Sequence, residues 1–282
     1  MKEALFYEKL PGTSAVECRL CPHNCRIPGD GVGLCGARKN RDGVLYAESY
    51  GQITSLALDP IEKKPLNRFH PGSRILSVGG YGCNMKCPYC QNHEISQAKP
   101  DAQYFSPEKL LSIAKNTPGN LGVAFTYNEP LIGIEYLLDC APLLKKAGLK
   151  VVLVTNGLVS YEPLKTLLLH IDAMNIDVKA FSTAAYRNIG GDLSAVKQTV
   201  ETCVSACHIE VTALIVPGQN DGEEDMRALS EWLCGLSPDI PLHISRYFPR
   251  YKASHPPTPV ATIQKLAAVA RRRLRYVHLG NI

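Results

Sequence analysis

The chain has 282 residues, 45% of them hydrophobic and 20% charged, enough for one large α/β domain with a small appendage and ample core. That balance excludes a disordered chain, and no apolar run reaches the length of a membrane span. The net charge of +5 is modest and Lys and Arg are dispersed rather than striped, which argues against nucleic acid as a partner.

Met1 to Lys9 contains no apolar signal-peptide core, so the expectation is a cytoplasmic, oxygen-sensitive protein whose eleven cysteines stay reduced. Clustered cysteines in that setting point to metal or redox sites. Residues 1–70 read as a distinct leading segment, rich in Cys, Gly and Pro. Within it Cys18, Cys21, Cys25 and Cys35 form a four-thiolate set on turn-rich backbone. A tetrahedral zinc (Zn2+) site would fold a segment too small for its own core and is the preferred reading. A second iron–sulfur cluster uses the same ligands, and free thiols in a loop are the plain alternative. Gly31 to Gly36 matches GxGxxG, but no strand leads in and no helical pattern follows, so a dinucleotide site is rejected. Short strands are expected near Val44 to Ala47 and Ile53 to Leu58, and the polar, turn-like Asp59 to Leu66 reads as a solvated loop, with charges lining an active-site mouth as the alternative.

Residues 71–282 read as the core. Apolar, often β-branched runs predict strands at Arg74 to Gly79, Gly122 to Phe125, Lys150 to Thr155, Ala173 to Asp177, Glu210 to Val216, Leu242 to Tyr247 and Tyr276 to Leu279. Helical patterns lie between them: Pro107 to Lys115 with Ser106 as N-cap, Ile134 to Ala147, Tyr161 to Leu169, Ser194 to Ala206, Glu223 to Leu236 and Pro259 to Arg273. About six βα repeats predict a parallel sheet closed into a partial (β/α)6 TIM-like barrel.

The first of these strands runs into Gly82 to Asn92, which sets Cys83, Cys87 and Cys90 in a CxxxCxxC array. Three soft thiolates suit a [4Fe-4S] cluster and leave one iron without a protein ligand, whereas electron-transfer clusters are normally closed by four thiolates. The next cysteine is Cys140. A zinc loop, or three structural thiols, is the competing reading. The spacing, with Tyr89 just before the third cysteine, resembles the signature of the radical S-adenosylmethionine (SAM) enzymes. The resemblance implies that the open iron chelates SAM, whose reduction releases a 5′-deoxyadenosyl radical that abstracts hydrogen from a substrate.

In a barrel of this kind catalytic groups sit at the C-terminal ends of the strands. The second strand ends in Thr126-Tyr127-Asn128-Glu129-Pro130. By resemblance Asn128 and Glu129 stand in for the last members of the motif that binds the SAM amino group. The third strand ends in the polar turn Thr155-Asn156-Gly157, within reach of cofactor or substrate. Asp177-Val-Lys179 resembles the Asp-x-Lys motif of pyruvate formate-lyase activating enzymes, which implies that Lys179 pairs with the SAM carboxylate and Asp177 organises the site. An exposed ion pair is the bland alternative. Pro217-Gly218 matches the same group and is expected to flank the adenosine. His243 is a candidate contact to SAM, with a satisfied core histidine as the alternative. Arg246, Arg250, Tyr251 and Lys252 are candidates for an anionic substrate, or simply a basic loop. Cys140, Cys203, Cys207 and Cys234 read as packing thiols.

CRLCPHNC, LDPIEKKPL, GCNMKCPYCQNHEIS, TYNEP, DVKA, VPGQND and HISRYFPRYK together resemble the radical SAM proteins of the AmmeMemoRadiSam system, relatives of pyruvate formate-lyase activating enzyme. That resemblance implies a reductant protein such as flavodoxin or ferredoxin, and either a protein substrate or the companion proteins of that system as partners. The rival from another class is a non-catalytic iron–sulfur or zinc protein that binds a partner through its cysteine-rich head.

Overall fold

A computed structural model describes all 282 residues. Its main sheet has eight strands: β1 Ser55–Pro60, β2 Arg74–Gly79, β3 Asn120–Phe125, β4 Lys150–Thr155, β5 Ala173–Asp177, β6 His208–Ile215, β7 Leu242–Arg246 and β8 Val277–Gly280. Each strand pairs with its neighbours in chain order, β2 to β8 all parallel, and β1 runs antiparallel to β2 at one edge. β1 and β8 do not pair, so the sheet is an open, partial barrel. The helices are α1 His93–Ser96, α2 Pro107–Asn116, α3 Ile134–Lys146, α4 Tyr161–Leu168, α5 Thr183–Asn188, α6 Leu193–Cys203, α7 Glu223–Leu236 and α8 Val260–Ala270. The expected alternation is present, with six helical crossovers between seven parallel strands.

Local chemistry explains the boundaries. Ser106 accepts from the Lys109 N–H and Pro107 occupies the first turn of α2, where no N–H is needed. Asp192 accepts from the N–H groups of Ser194 and Ala195 at the start of α6. The six-residue α5, capped by Ser182, had no sequence counterpart because so short a helix carries no readable periodicity.

The segment after β1 corrects the solvated-loop expectation. Ile61 and Leu66 are fully buried and pack with Ile75, Ala124, Val152 and Ala173, one residue from each of β2 to β5. The backbone N–H groups of Asn67 and Arg68 donate to Glu210 on β6, and Asn175 on β5 donates to the Pro65 carbonyl. Residues 61–68 therefore plug the barrel interior. The sheet also begins at Ser55, before the boundary expected at residue 70.

Ahead of the barrel stand two three-stranded antiparallel sheets, formed by Lys2–Glu3, Arg38–Arg41 and Val44–Ala47, and by Tyr7–Lys9, Val16–Cys18 and Arg26–Ile27. Arg38 anchors this head to α3. Its guanidinium lies 2.8 Å from Glu135, donates to the Leu5 carbonyl at 2.6 Å, and is almost wholly buried.

Candidate active site

β2 delivers the cysteine loop to the C-terminal mouth of the barrel, where Cys83, Cys87 and Cys90 line one cavity of about 350 Å³. That volume lies within the usual range for small-molecule sites, roughly 300–1,000 Å³. No other cysteine lines it. Besides the cysteine loop and the segment after β1, the walls are strand ends: Thr126 to Glu129 after β3, Val154 to Asn156 at β4, Asp177 and Lys179 at β5, Thr212 and Leu214 on β6, Ser245 on β7 and Asn281 after β8.

The loop is held from several sides. Asn84 donates to the Leu158 carbonyl and accepts from Asn156, while its own carbonyl lies 2.7 Å from His23 Nε2. The Lys86 N–H donates to Ile189, the Lys252 N–H donates to Pro88, and Gln97 donates to the Met85 carbonyl. Two donors address the Cys83 sulfur, the Met85 N–H at 3.4 Å and Asn156 Nδ2 at 3.6 Å, and Cys90 Sγ lies 3.0 Å from Ser96 Oγ. Hydrogen bonds to ligand sulfurs of this kind orient the ligands and tune a cluster's potential. Burial pushes the Cys83 and Cys87 thiols up, with Lys179 pulling Cys87 the other way.

No three His, Cys, Asp or Glu side chains anywhere in the chain converge on a single-ion centre. The loop thiols instead surround a shared cavity, a donor set that suits a three-thiolate cluster rather than a lone zinc ion. Cys18, Cys21, Cys25 and Cys35 line a separate small pocket with His23, Arg38 and Asn84.

Glu129 is fully buried at the end of β3. Oε1 accepts from Thr155 Oγ1 at 2.6 Å and the Leu131 N–H at 2.9 Å, and Oε2 accepts from the Asn156 N–H at 2.7 Å. Burial raises its carboxyl to about 7, against the pull of these hydrogen bonds. Oε2 retains capacity for a further donor in the cavity. Asn128 is committed to the cysteine loop: Oδ1 accepts from the Gly80 N–H, and Nδ2 donates to the Gly82 carbonyl. Lys179 Nζ donates to Asp177 Oδ2 at 2.6 Å. Burial alone would lower the Lys179 ammonium, but Asp177 and the neighbouring Cys87 outweigh it and hold it raised. Asn220 fixes this turn by donating to the Lys179 carbonyl. Tyr89 is buried, lines the cavity and meets Tyr247 edge to face at 6.2 Å.

Other expected residues stand off this cavity. His243 does not line the cavity: its Nε2 lies 2.6 Å from Glu210 Oε2 and its ring stacks on His278 at 5.0 Å. Strand periodicity puts Ser245, two residues on, at the mouth instead. Arg246, Arg250, Tyr251 and Lys252 also lie outside the lining. Arg246 donates to the Thr258 carbonyl, and Tyr251 stacks on His93 at 4.6 Å. Pro217 and Gly218 likewise stand off the cavity, whereas Leu214 reaches it. Lys63 and Lys64 line the cavity, as the alternative reading of the Asp59 to Leu66 charges allowed, whereas Thr212, Gln91, Asn92, Gln97 and Asn281 were missed; same-face spacing with Asp177 and Ser245 across the sheet would have exposed Thr212 alone.

Residues 77–232 match the family model for the Radical SAM superfamily. The uncharacterized protein MJ0808 of Methanocaldococcus jannaschii is 39% identical over 100% of this chain and 86% of its own length. The pyruvate formate-lyase-activating enzyme of Clostridium pasteurianum is 26% identical over 57% of this chain and 69% of its own. The fold also matches a radical SAM methyltransferase from Sphaerobacter thermophilus, with a TM-score of 0.58 at 13% identity over 75% of this chain and 67% of the other. No helix is long and apolar enough to cross a membrane. By its sequence match, its fold and its three-thiol loop, this chain belongs to the radical SAM superfamily, enzymes that use a [4Fe-4S] cluster and SAM for radical chemistry.

Proposed function

We propose that Cys83, Cys87 and Cys90 hold the [4Fe-4S] cluster, with its open iron available to SAM. The observation that carries this is the single cavity lined by three thiols, no fourth, and a polar group at nearly every strand end. When bound, the cluster supplies the electron that cleaves SAM reductively to a 5′-deoxyadenosyl radical. Lys179 receives the SAM carboxylate and Asp177 fixes that ammonium. Glu129 offers Oε2 to the SAM amino group, Asn128 acts by holding the cysteine loop, and Tyr89 packs beside the cofactor. The electron comes from a reduced flavodoxin or ferredoxin. The substrate then loses a hydrogen atom to the radical.

The test is the electron paramagnetic resonance spectrum of anaerobically reconstituted, reduced protein with and without SAM. A four-iron signal that changes shape on adding SAM is expected, as is its loss with SAM cleavage in Cys87→Ala of retained fold. A cluster indifferent to SAM overturns the assignment.

Similarity to activating enzymes favours an activase-like role on a protein substrate, with the companion proteins of the AmmeMemoRadiSam system as candidate partners. A glycine-centred radical on a co-expressed partner would select that version, and its absence despite active SAM cleavage would count against it. We further propose the four head thiols as a second metal site. Zinc or iron content after replacing Cys21 decides between its two forms, and unchanged content of both removes the site.

A further inference from the structure

The barrel plug contributes a charged group to the cavity. Lys64 lines it, yet the side chain is only 3% exposed, which is rare for lysine without a partner or a task. Nζ donates to Asp59 Oδ2 at 2.9 Å, the Tyr127 hydroxyl donates to the same oxygen at 2.7 Å, and Nζ lies 4.5 Å from the centre of the Tyr127 ring. Only one of the three ammonium donors thus has a protein acceptor. Tyr127 holds the left-handed φ of +73°, a conformation that the surrounding contacts must impose.

Charge is not balanced on this side. Lys63 also lines the cavity, 3.5 Å from Asp59 Oδ1, while Asp59 itself stands behind the two lysines and off the lining. Two cations therefore face the space against one carboxylate already engaged by both and by Tyr127. Across the mouth, Asp177 and Lys179 already pair with each other. The lysines belong to the β1 to β3 side of the barrel and the Asp177–Lys179 pair to β5, so one anion does not account for both positions.

We propose that Lys64 anchors an anionic group of the substrate, a carboxylate or a phosphate, with Lys63 beside it and with Asp59 and Tyr127 fixing the ammonium. The assignment rests on the SAM-cleaving reading above and adds a substrate class to it. The anion binds at the barrel floor, and the cysteine loop closes the same cavity.

The experiment uses the full chain, reconstituted anaerobically and loaded with SAM, titrated by calorimetry with inorganic phosphate and separately with succinate. One of the two is expected to bind, and which one identifies the group. Asp59→Asn/Lys64→Met, which leaves no unpaired buried charge, is expected to weaken that binding by about tenfold or more. Lys64→Arg is expected to retain it. The SAM-dependent change in the resonance spectrum should survive in both variants. Binding of neither anion to the wild-type chain, or equal binding to the double variant, overturns the proposal. Loss of the SAM response in the double variant also overturns it, because the lysine then serves the cofactor. Failure of the underlying reading looks different: the wild-type cluster itself would ignore SAM.

Discussion

The backbone N–H of Cys83 donates to the carbonyl of Cys35 at 3.1 Å, so the first cysteine of the three-thiol loop hangs on the last cysteine of the head. Gly82 makes this approach feasible. Its φ is +88°, and a Cβ there would stand 2.6 Å from the Cys35 carbonyl oxygen and 3.0 Å from Ile132. Gly82→Ala is expected to cost about 1–3 kcal/mol in backbone strain, with further loss from the clash. It should lower both the midpoint of chemical denaturation and the iron held per chain. Wild-type values for both would mean that head and loop move independently.

The pair at the end of β5 gives a second prediction. Lys179→Met removes the cation assigned to SAM and leaves the cysteines untouched. SAM binding should weaken by about tenfold or more, equivalent to the ~1.5 kcal/mol lower bound of a charge-assisted hydrogen bond. Cluster iron should stay at the wild-type level. Unchanged SAM affinity would return Asp177 and Lys179 to an ordinary ion pair.

Much of this arrangement was legible in the sequence, for identifiable reasons. The barrel strands are runs of apolar, β-branched residues bounded by turns, and the cysteine spacing specifies a three-thiolate donor set that Gly82 and Pro88 mark as lying on a loop. Strand ends then followed from the rule that catalytic groups gather there. What stayed hidden depends on long-range closure. Nothing local marks Lys64 as buried, since its partner Asp59 and the ring of Tyr127 arrive only when the plug enters the barrel. His243 was misread by one layer: it faces the interior like Ser245, but below the cavity beside Glu210. The resemblance implies SAM contacts at Asn128 and Glu129, yet only the fold reveals that most of their hydrogen bonds brace the loop and β4.

The join between head and barrel is a third point of attack. Arg38 and Glu135 are 1% and 0% exposed, and the same Glu135 oxygen also accepts from the Leu5 N–H at 2.7 Å. Glu135→Ala strands a buried guanidinium and is expected to destabilise the chain by about 3–5 kcal/mol. Adding Arg38→Met should recover part of that loss, because no unpaired charge then remains inside. Both effects are read by anaerobic denaturation. A single variant as stable as wild type would show that the head is not docked through this pair.

Glu129 supplies a dependence on pH with a defined sign. Burial lifts its carboxyl from 4.5 to about 7, so between those values the folded chain holds a proton that the unfolded chain has released. Stability contributed at this position is therefore present below pH 4.5 and is lost as pH rises through about 7. The difference of about 2.5 units corresponds to ~3 kcal/mol. Glu129→Gln removes the titration but turns an amide NH2 toward a backbone N–H, either Leu131 or Asn156, so the variant should be less stable at low pH. Denaturation of both proteins at intervals from pH 5 to 8 gives the comparison, with other titrating groups common to the two. The wild-type advantage should shrink steadily across that range and level off above it. A constant difference would mean that Glu129 stays ionised throughout, held by its three hydrogen bonds despite its burial.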